Sequence, residues 1–197
     1  MHKIFRIVLA LFPPLLLLAY PPTEDACGYI FDDYPSLYYP ASTHRLIGVS
    51  ALGDSVELED GSVWKICHYD GYKAMQWRSQ DPITITQNHR WFSSYRYRIV
   101  NQNSGESLEA NLFLGPLEYG QSTLYVTGID LIAGDLIITN GFGEALRWEI
   151  SSNDLSVFQN WAVHDAIIIG QNSSWDKGCE TLLINVAMNN SVRARQI

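Results

Sequence analysis

Val56-Glu57-Leu58-Glu59-Asp60-Gly61-Ser62-Val63-Trp64-Lys65-Ile66 reads as a β-hairpin. Val56 and Leu58 alternate with Glu57 and Glu59, while Trp64 and Ile66 flank Lys65. A side-chain period of two gives a strand one apolar and one wet face. Asp60-Gly61 lies between the two runs, and Asp-Gly favours two-residue turns whose central residues both need φ > 0. The stretch predicts two antiparallel strands joined by a type I′ turn.

The hairpin has an echo. Trp148 lies 84 residues after Trp64, and the same ungapped offset pairs Asp70 with Asp154, Trp77 with Trp161 and Asp81 with Asp165. It also pairs Ile83 with Ile167, Ile85 with Ile169, Gln87-Asn88 with Gln171-Asn172, Trp91 with Trp175, and Asn101 with Asn185. Tryptophan is scarce, so three matched Trp pairs, which take in all six Trp of the chain, point to two copies of one unit. Upstream, Gly53-Asp54 matches Gly134-Asp135 at an offset of 81. The reading places the difference in the turns, where Asn140-Gly141-Phe142-Gly143 replaces Asp60-Gly61, because loop length changes at little cost.

The predicted units span 44–114 and 124–197, joined by a Gly- and Pro-bearing linker over 115–123. Unit one offers strands at 46–52, in the hairpin, and at 82–86, 95–100 and 107–112. Unit two offers 125–132, 136–139, 145–150, 166–169, 181–186 and 190–194. Short strands with turns every eight to twelve residues predict an all-β fold, a tandem duplication of a small antiparallel, SH3-like barrel. A unit of about 70 residues is near the small end of what buries its own core, so the copies are expected to lean on each other. Helix is expected only as a turn or two over 154–161.

The N-terminus reads as an export signal. Lys3 and Arg6 precede an apolar run broken by Pro13-Pro14, which is short for a spanning helix. Residues 1–19 are the predicted signal peptide, with retention as a membrane anchor the alternative. Residues 20–43 form a Tyr- and Pro-rich lead-in. The expected location is the periplasm, the cell surface or the medium. Cys27, Cys67 and Cys179 allow one disulfide and leave one thiol, with Cys27–Cys179 the favoured pair.

Function classes narrow by charge and motif. The 197 residues carry a net charge of −8 and no basic run, which argues against nucleic acid as a partner. No G-x-S-x-G elbow, zinc-binding His pair, Cys-x-x-Cys, P-loop or dinucleotide fingerprint occurs, so no catalytic residue, cofactor or metal ligand is assigned. Cys67-His68 suggests a nucleophile and base, but neighbours on a strand point to opposite faces. Trp64 and Trp148 are in phase with the inward faces. Trp77, Trp91, Trp161 and Trp175 fall at loop ends, where rings cap a barrel or stack on a sugar or another protein. Exposed rings would favour the sugar, and buried rings would end that reading.

Leu58-Glu59-Asp60-Gly61-Ser62-Val63-Trp64-Lys65-Ile66, followed by Trp77 and Asp81-Pro82-Ile83-Thr84-Ile85, resembles a pattern in small exported bacterial proteins, several of them chlamydia-related. The likeness covers each unit but not residues 1–42, and Ile138-Thr139-Asn140-Gly141 departs from it. It implies export and carries no catalytic or binding residues across. The expected function is therefore non-catalytic: a protein–protein interaction module of the envelope. Alternatives are a carbohydrate or peptidoglycan-binding module, and a hydrolase whose site between the units would hold His164, Asp165 or Cys67.

Overall fold

The alternating stretches become strands in a computed structural model that describes residues 42–174 and 178–197. The signal segment, Cys27 with its proposed disulfide, and Trp175 lie outside the described residues. In chain order the strands are β1 (Thr43–Val49), β2 (Ser55–Leu58) and β3 (Val63–Ile66), then the helical turn α1 (Gly71–Ala74). β4 (Pro82–Gln87), β5 (Tyr97–Asn101), β6 (Ser107–Leu114), β7 (Leu124–Asp130), β8 (Asp135–Thr139) and β9 (Ala145–Ile150) follow. A 3-10 turn, Ser152–Asp154, leads into α2 (Leu155–Phe158), and β10 (Ala166–Gln171), β11 (Thr181–Asn185) and β12 (Asn190–Gln196) complete the described chain.

The hairpin has the predicted faces. Val56, Leu58, Trp64 and Ile66 are buried, while Glu57 and Lys65 are exposed. Its turn differs from the expected one. The Gly61 N–H reaches the Leu58 carbonyl at 2.9 Å and the Leu58 N–H reaches the Ser62 carbonyl at 3.0 Å, so the loop has three residues, Glu59 to Gly61. Gly61 has a φ of +82°, whereas Asp60 keeps a negative φ and accepts the Ser62 N–H on its carboxylate at 2.8 Å. A type I turn followed by a left-handed glycine joins strands as well as a type I′ turn does.

The second hairpin has the same loop, with Gly143 at +84°. The length difference is therefore not in the turn. Val56 opposes Trp64, four residues either side of Asp60, while Leu136 opposes Trp148, six residues either side of Phe142. Each arm is longer by two residues. An even insertion preserves which face each side chain takes, and an odd one would turn the strand inside out.

Strands β1 to β6 pair in the order β1-β2-β3-β6-β5-β4, and β4 returns to β1, closing a six-stranded antiparallel barrel. The further strands run β10-β11-β12-β9-β8-β7, with β10 also paired to β7. Among the described residues, closure leaves no strand without a neighbour on either side, which removes the open edge that would aggregate. Within the first ring Trp64 meets Tyr97 edge to face, centroids 5.4 Å apart, among Leu46, Leu58, Ile85 and Ile99. Within the second, Trp148 packs with Leu136, Ile138 and Phe158.

The rings meet where β4 and β10 run parallel, Thr86 opposite Gln171. A Cβ on Gly170 would lie 2.5 Å from the Ile85 carbonyl oxygen, so only glycine permits this approach. Ile168, Leu182 and Ile184 from the second ring pack into the first ring's core. The segment from 115 to 123 is tied down as well: the Leu117 N–H donates to the Asp60 carbonyl at 2.8 Å, and Thr123 is buried.

Candidate functional site

Two of the four candidate tryptophans are core. Trp77 is 7% exposed and donates its indole N–H to Glu106 at 3.2 Å; Trp161 is 5% exposed and donates to Asn190 at 2.8 Å. Neither offers a ring face for stacking, because each closes its barrel's apolar interior and satisfies its one polar atom there. Trp91 is 91% exposed. Trp175 lies outside the described residues.

The matched polar residues also have structural work. Asp81 accepts the Arg78 N–H at 2.9 Å and the Asn101 amide at 2.7 Å, and Asp165 accepts the Ala162 N–H at 2.8 Å and the Asn185 amide at 2.7 Å. Asp70 accepts the Glu109 N–H, and Asp154 the Arg193 N–H, each joining a helical turn to a strand across the ring. Repeated hydrogen-bonded carboxylates of this kind fix turns. A shallow depression of about 380 Å³ beside Trp77 is lined by Asp81, Asn101, Asn103 and Glu106, whose polar groups are bonded to one another and to Trp77.

No hydrogen bond joins any two of Cys67, His164 and Asp165. The Cys67 thiol is buried against the Tyr95 hydroxyl, and burial together with Cys67 pushes the Tyr95 phenol above its usual range. His68 is exposed, its ring tilted by 42° against that of Tyr69 with centroids 3.6 Å apart. His164 is exposed with a φ of +77°, and Asp165 is committed to Ala162 and Asn185. No disulfide joins Cys67 to Cys179. Among the described residues no group of three or more His, Cys, Asp or Glu could hold a metal ion, and no helix is long and apolar enough to cross a membrane.

The feature that stands apart is the loop from 88 to 96, between β4 and β5. Its apex is a turn closed by the Ser93 N–H on the Arg90 carbonyl at 3.2 Å. Trp91 and Phe92 are its two central residues, and Phe92 is 97% exposed. Central turn positions normally carry Gly, Pro, Asn, Asp or Ser, so two bare aromatics there have no folding rationale.

The loop beneath them is fixed at several points. Asn88 brackets it, accepting the Arg90 N–H at 3.1 Å and donating to the Tyr95 carbonyl at 2.9 Å. Glu109, on β6, accepts the Ser93 hydroxyl at 2.9 Å and pairs with Arg90 at 2.9 Å. The Arg96 N–H and the Ser94 carbonyl both bond the Asn111 side chain, at 2.8 and 3.2 Å. The Arg96 guanidinium reaches the Asn189 carbonyl, and His89 meets Ser173 at 3.2 Å, tying the loop to the second ring. A ring held out on an anchored loop loses little entropy when it binds. The sequence reading named Trp91 and missed Phe92; the available signal was a Trp-Phe pair set between Asn88-His89-Arg90 and Ser93-Ser94.

Fold and site together define an all-β barrel protein that displays a fixed aromatic turn. No family model matches the chain, and neither a curated protein nor a solved structure matches it.

Proposed function

We propose that this chain is an exported, non-catalytic binding protein, and that it engages another protein of the envelope through the Trp91–Phe92 turn. The observation that carries the reading is the exposure of both rings on a loop that hydrogen bonds and an ion pair hold in place. Large aromatics dominate the energetics of protein interfaces, and pre-organisation reduces the cost of ordering them.

We also read the two rings as copies of one SH3-like unit, over 44–114 and 124–197. The matched strand order supports this, as do the indole, aspartate and asparagine bonds recurring 84 residues apart. The test of the binding role is a photo-crosslinking residue at position 92 in the full-length exported protein, with position 132, equally exposed, as control. A discrete adduct at 92 that Trp91→Ala abolishes is the expected result, and equal labelling at 92 and 132 would refute the role. A second reading, stacking of a cell-wall glycan on Trp91, is favoured only by that one bare indole. Glycan fragments would then shield Trp91 from acrylamide.

A further inference from the structure

We propose that His44 is a protonation-controlled clamp between the two strand rings: as an imidazolium it ties β1 and the β2–β3 turn to β10, and losing its proton loosens the seam. His44 is 6% exposed. Its Nδ1 lies 3.0 Å from Glu59 Oε1, and its Nε2 lies 2.7 Å from the carbonyl oxygen of Ile169, in the other ring. A carbonyl oxygen only accepts, and so does a carboxylate, so both ring nitrogens must donate. Only the charged, doubly protonated imidazole does that.

A neutral ring forfeits one bond whichever tautomer it takes. With the proton on Nε2, the Nδ1 lone pair faces the Glu59 carboxylate. With it on Nδ1, the Nε2 lone pair faces the Ile169 carbonyl. Either contact is repulsive inside a low-dielectric seam.

The charges around His44 agree with the cationic form. Glu59 holds its second oxygen on the Arg45 N–H at 2.7 Å, which fixes its orientation toward the ring. Asp60, buried in the same turn, adds a second negative neighbour. Arg45, the other ionisable residue of β1, follows His44 directly and so projects to the opposite face. Neither β4 nor β10 carries an ionisable side chain.

Burial alone would push the His44 imidazole down, but the Glu59 bond and charge, the Asp60 charge and the Ile169 carbonyl hold it above its ordinary value. Burial pushes Glu59 up, and His44 and the Arg45 N–H more than offset that, leaving it below its ordinary value. The raised His44 contributes stability that is complete below the unfolded histidine pKa and lost as pH rises through the folded one. Glu59 contributes above the unfolded carboxylate pKa and fails as pH falls through its depressed folded value. The clamp is whole between these limits and opens on the alkaline side.

The experiment is hydrogen exchange on the full chain, following the amides of β4 and β10, with ¹⁵N spectra of the His44 ring in parallel. Protection at the seam, corrected for intrinsic base catalysis, should fall by about tenfold as pH rises from below the unfolded histidine pKa through the raised folded one, the size expected when one charge-assisted hydrogen bond is lost. Glu59→Gln should shift the midpoint of that step to lower pH, which a merely structural contact would not do. His44→Gln should abolish the step; if it fails to fold, Glu59→Gln still decides. Seam protection independent of pH, or a His44 ring that is neutral throughout, would overturn the proposal.

Discussion

Asp154 holds Arg193 by three bonds: its Oδ2 accepts the backbone N–H at 2.7 Å and Nε at 2.8 Å, and its Oδ1 accepts Nη2 at 2.8 Å. The matched Asp70 reaches its strand only through the backbone N–H of Glu109, at 3.1 Å, and its other oxygen accepts Lys73 of its own helical turn at 2.7 Å instead of a strand arginine. The second ring thus secures its helical turn to β12 with a half-buried ion pair.

Asp154→Ala should therefore lower stability by about 2–4 kcal/mol in urea unfolding, since it strands a half-buried guanidinium as well as a backbone donor. Burial pushes the Asp154 carboxyl up, but the Arg193 bonds and charge outweigh that and hold it below its ordinary range. Its contribution is present above the unfolded carboxylate pKa, about 3.9, and is lost as pH falls through the lower folded value. Asp154→Asn should accordingly lose less stability than the native protein on acidification. An equal acid loss in both proteins would refute this.

Asp81→Ala and Asp165→Ala should each cost about 1–3 kcal/mol, because they leave the buried amides of Asn101 and Asn185 without their acceptor. The Asn replacement keeps one oxygen and should recover part of the loss. Thermal melts of the four variants check both statements. An alanine variant that melts with the native protein would show the bond is dispensable.

Trp91→Phe should remove a red-shifted, readily quenched component of the fluorescence while shifting stability by no more than about 0.5 kcal/mol, as exposed substitutions do. Trp77→Phe should leave that component intact and cost about 1–2 kcal/mol through the lost bond to Glu106 and the smaller ring. Acrylamide quenching and urea unfolding on the same samples separate the two. The reverse pattern would exchange the roles assigned to the two rings.

Gly170→Ala should lower stability by about 1–3 kcal/mol, because the new methyl meets the Ile85 carbonyl and forces β10 away from β4. Gly105→Ala is the control on space, since a Cβ there meets nothing within 4 Å and only its φ of +71° opposes it. Exchange of the β4 and β10 amides should accelerate in Gly170→Ala and not in the control.

How far the sequence reading reached depends on the range of the forces involved. Strand positions were legible because burial of one face writes a period of two into the chain, as in Val56, Leu58, Trp64 and Ile66. The first strand nonetheless begins at Thr43 and ends at Val49, three residues earlier than expected. The Ser50 hydroxyl accepts the Asp54 and Ser55 N–H groups at 3.0 and 3.1 Å and turns the chain there. The hairpin turn was misjudged because Asp-Gly suits either loop, and the choice rests on Asp60 reaching Ser62. The site was half legible: a Trp at a loop end is visible in sequence, but its exposure is not, and Trp77 and Trp91 looked alike.

By itself the sequence determined the all-β class, the strand and turn alternation, and the matched Trp, Asp and Asn positions, since these follow from local periodicity and self-comparison. The tertiary structure alone decided that β4 closes on β1, that β10 approaches β4 at Gly170, that Trp77 is core while Trp91 is bare, and that His44 meets Ile169 across 125 residues. Those outcomes depend on which strands pair and which faces meet. Such long-range contacts leave no spacing in the chain from which to read them.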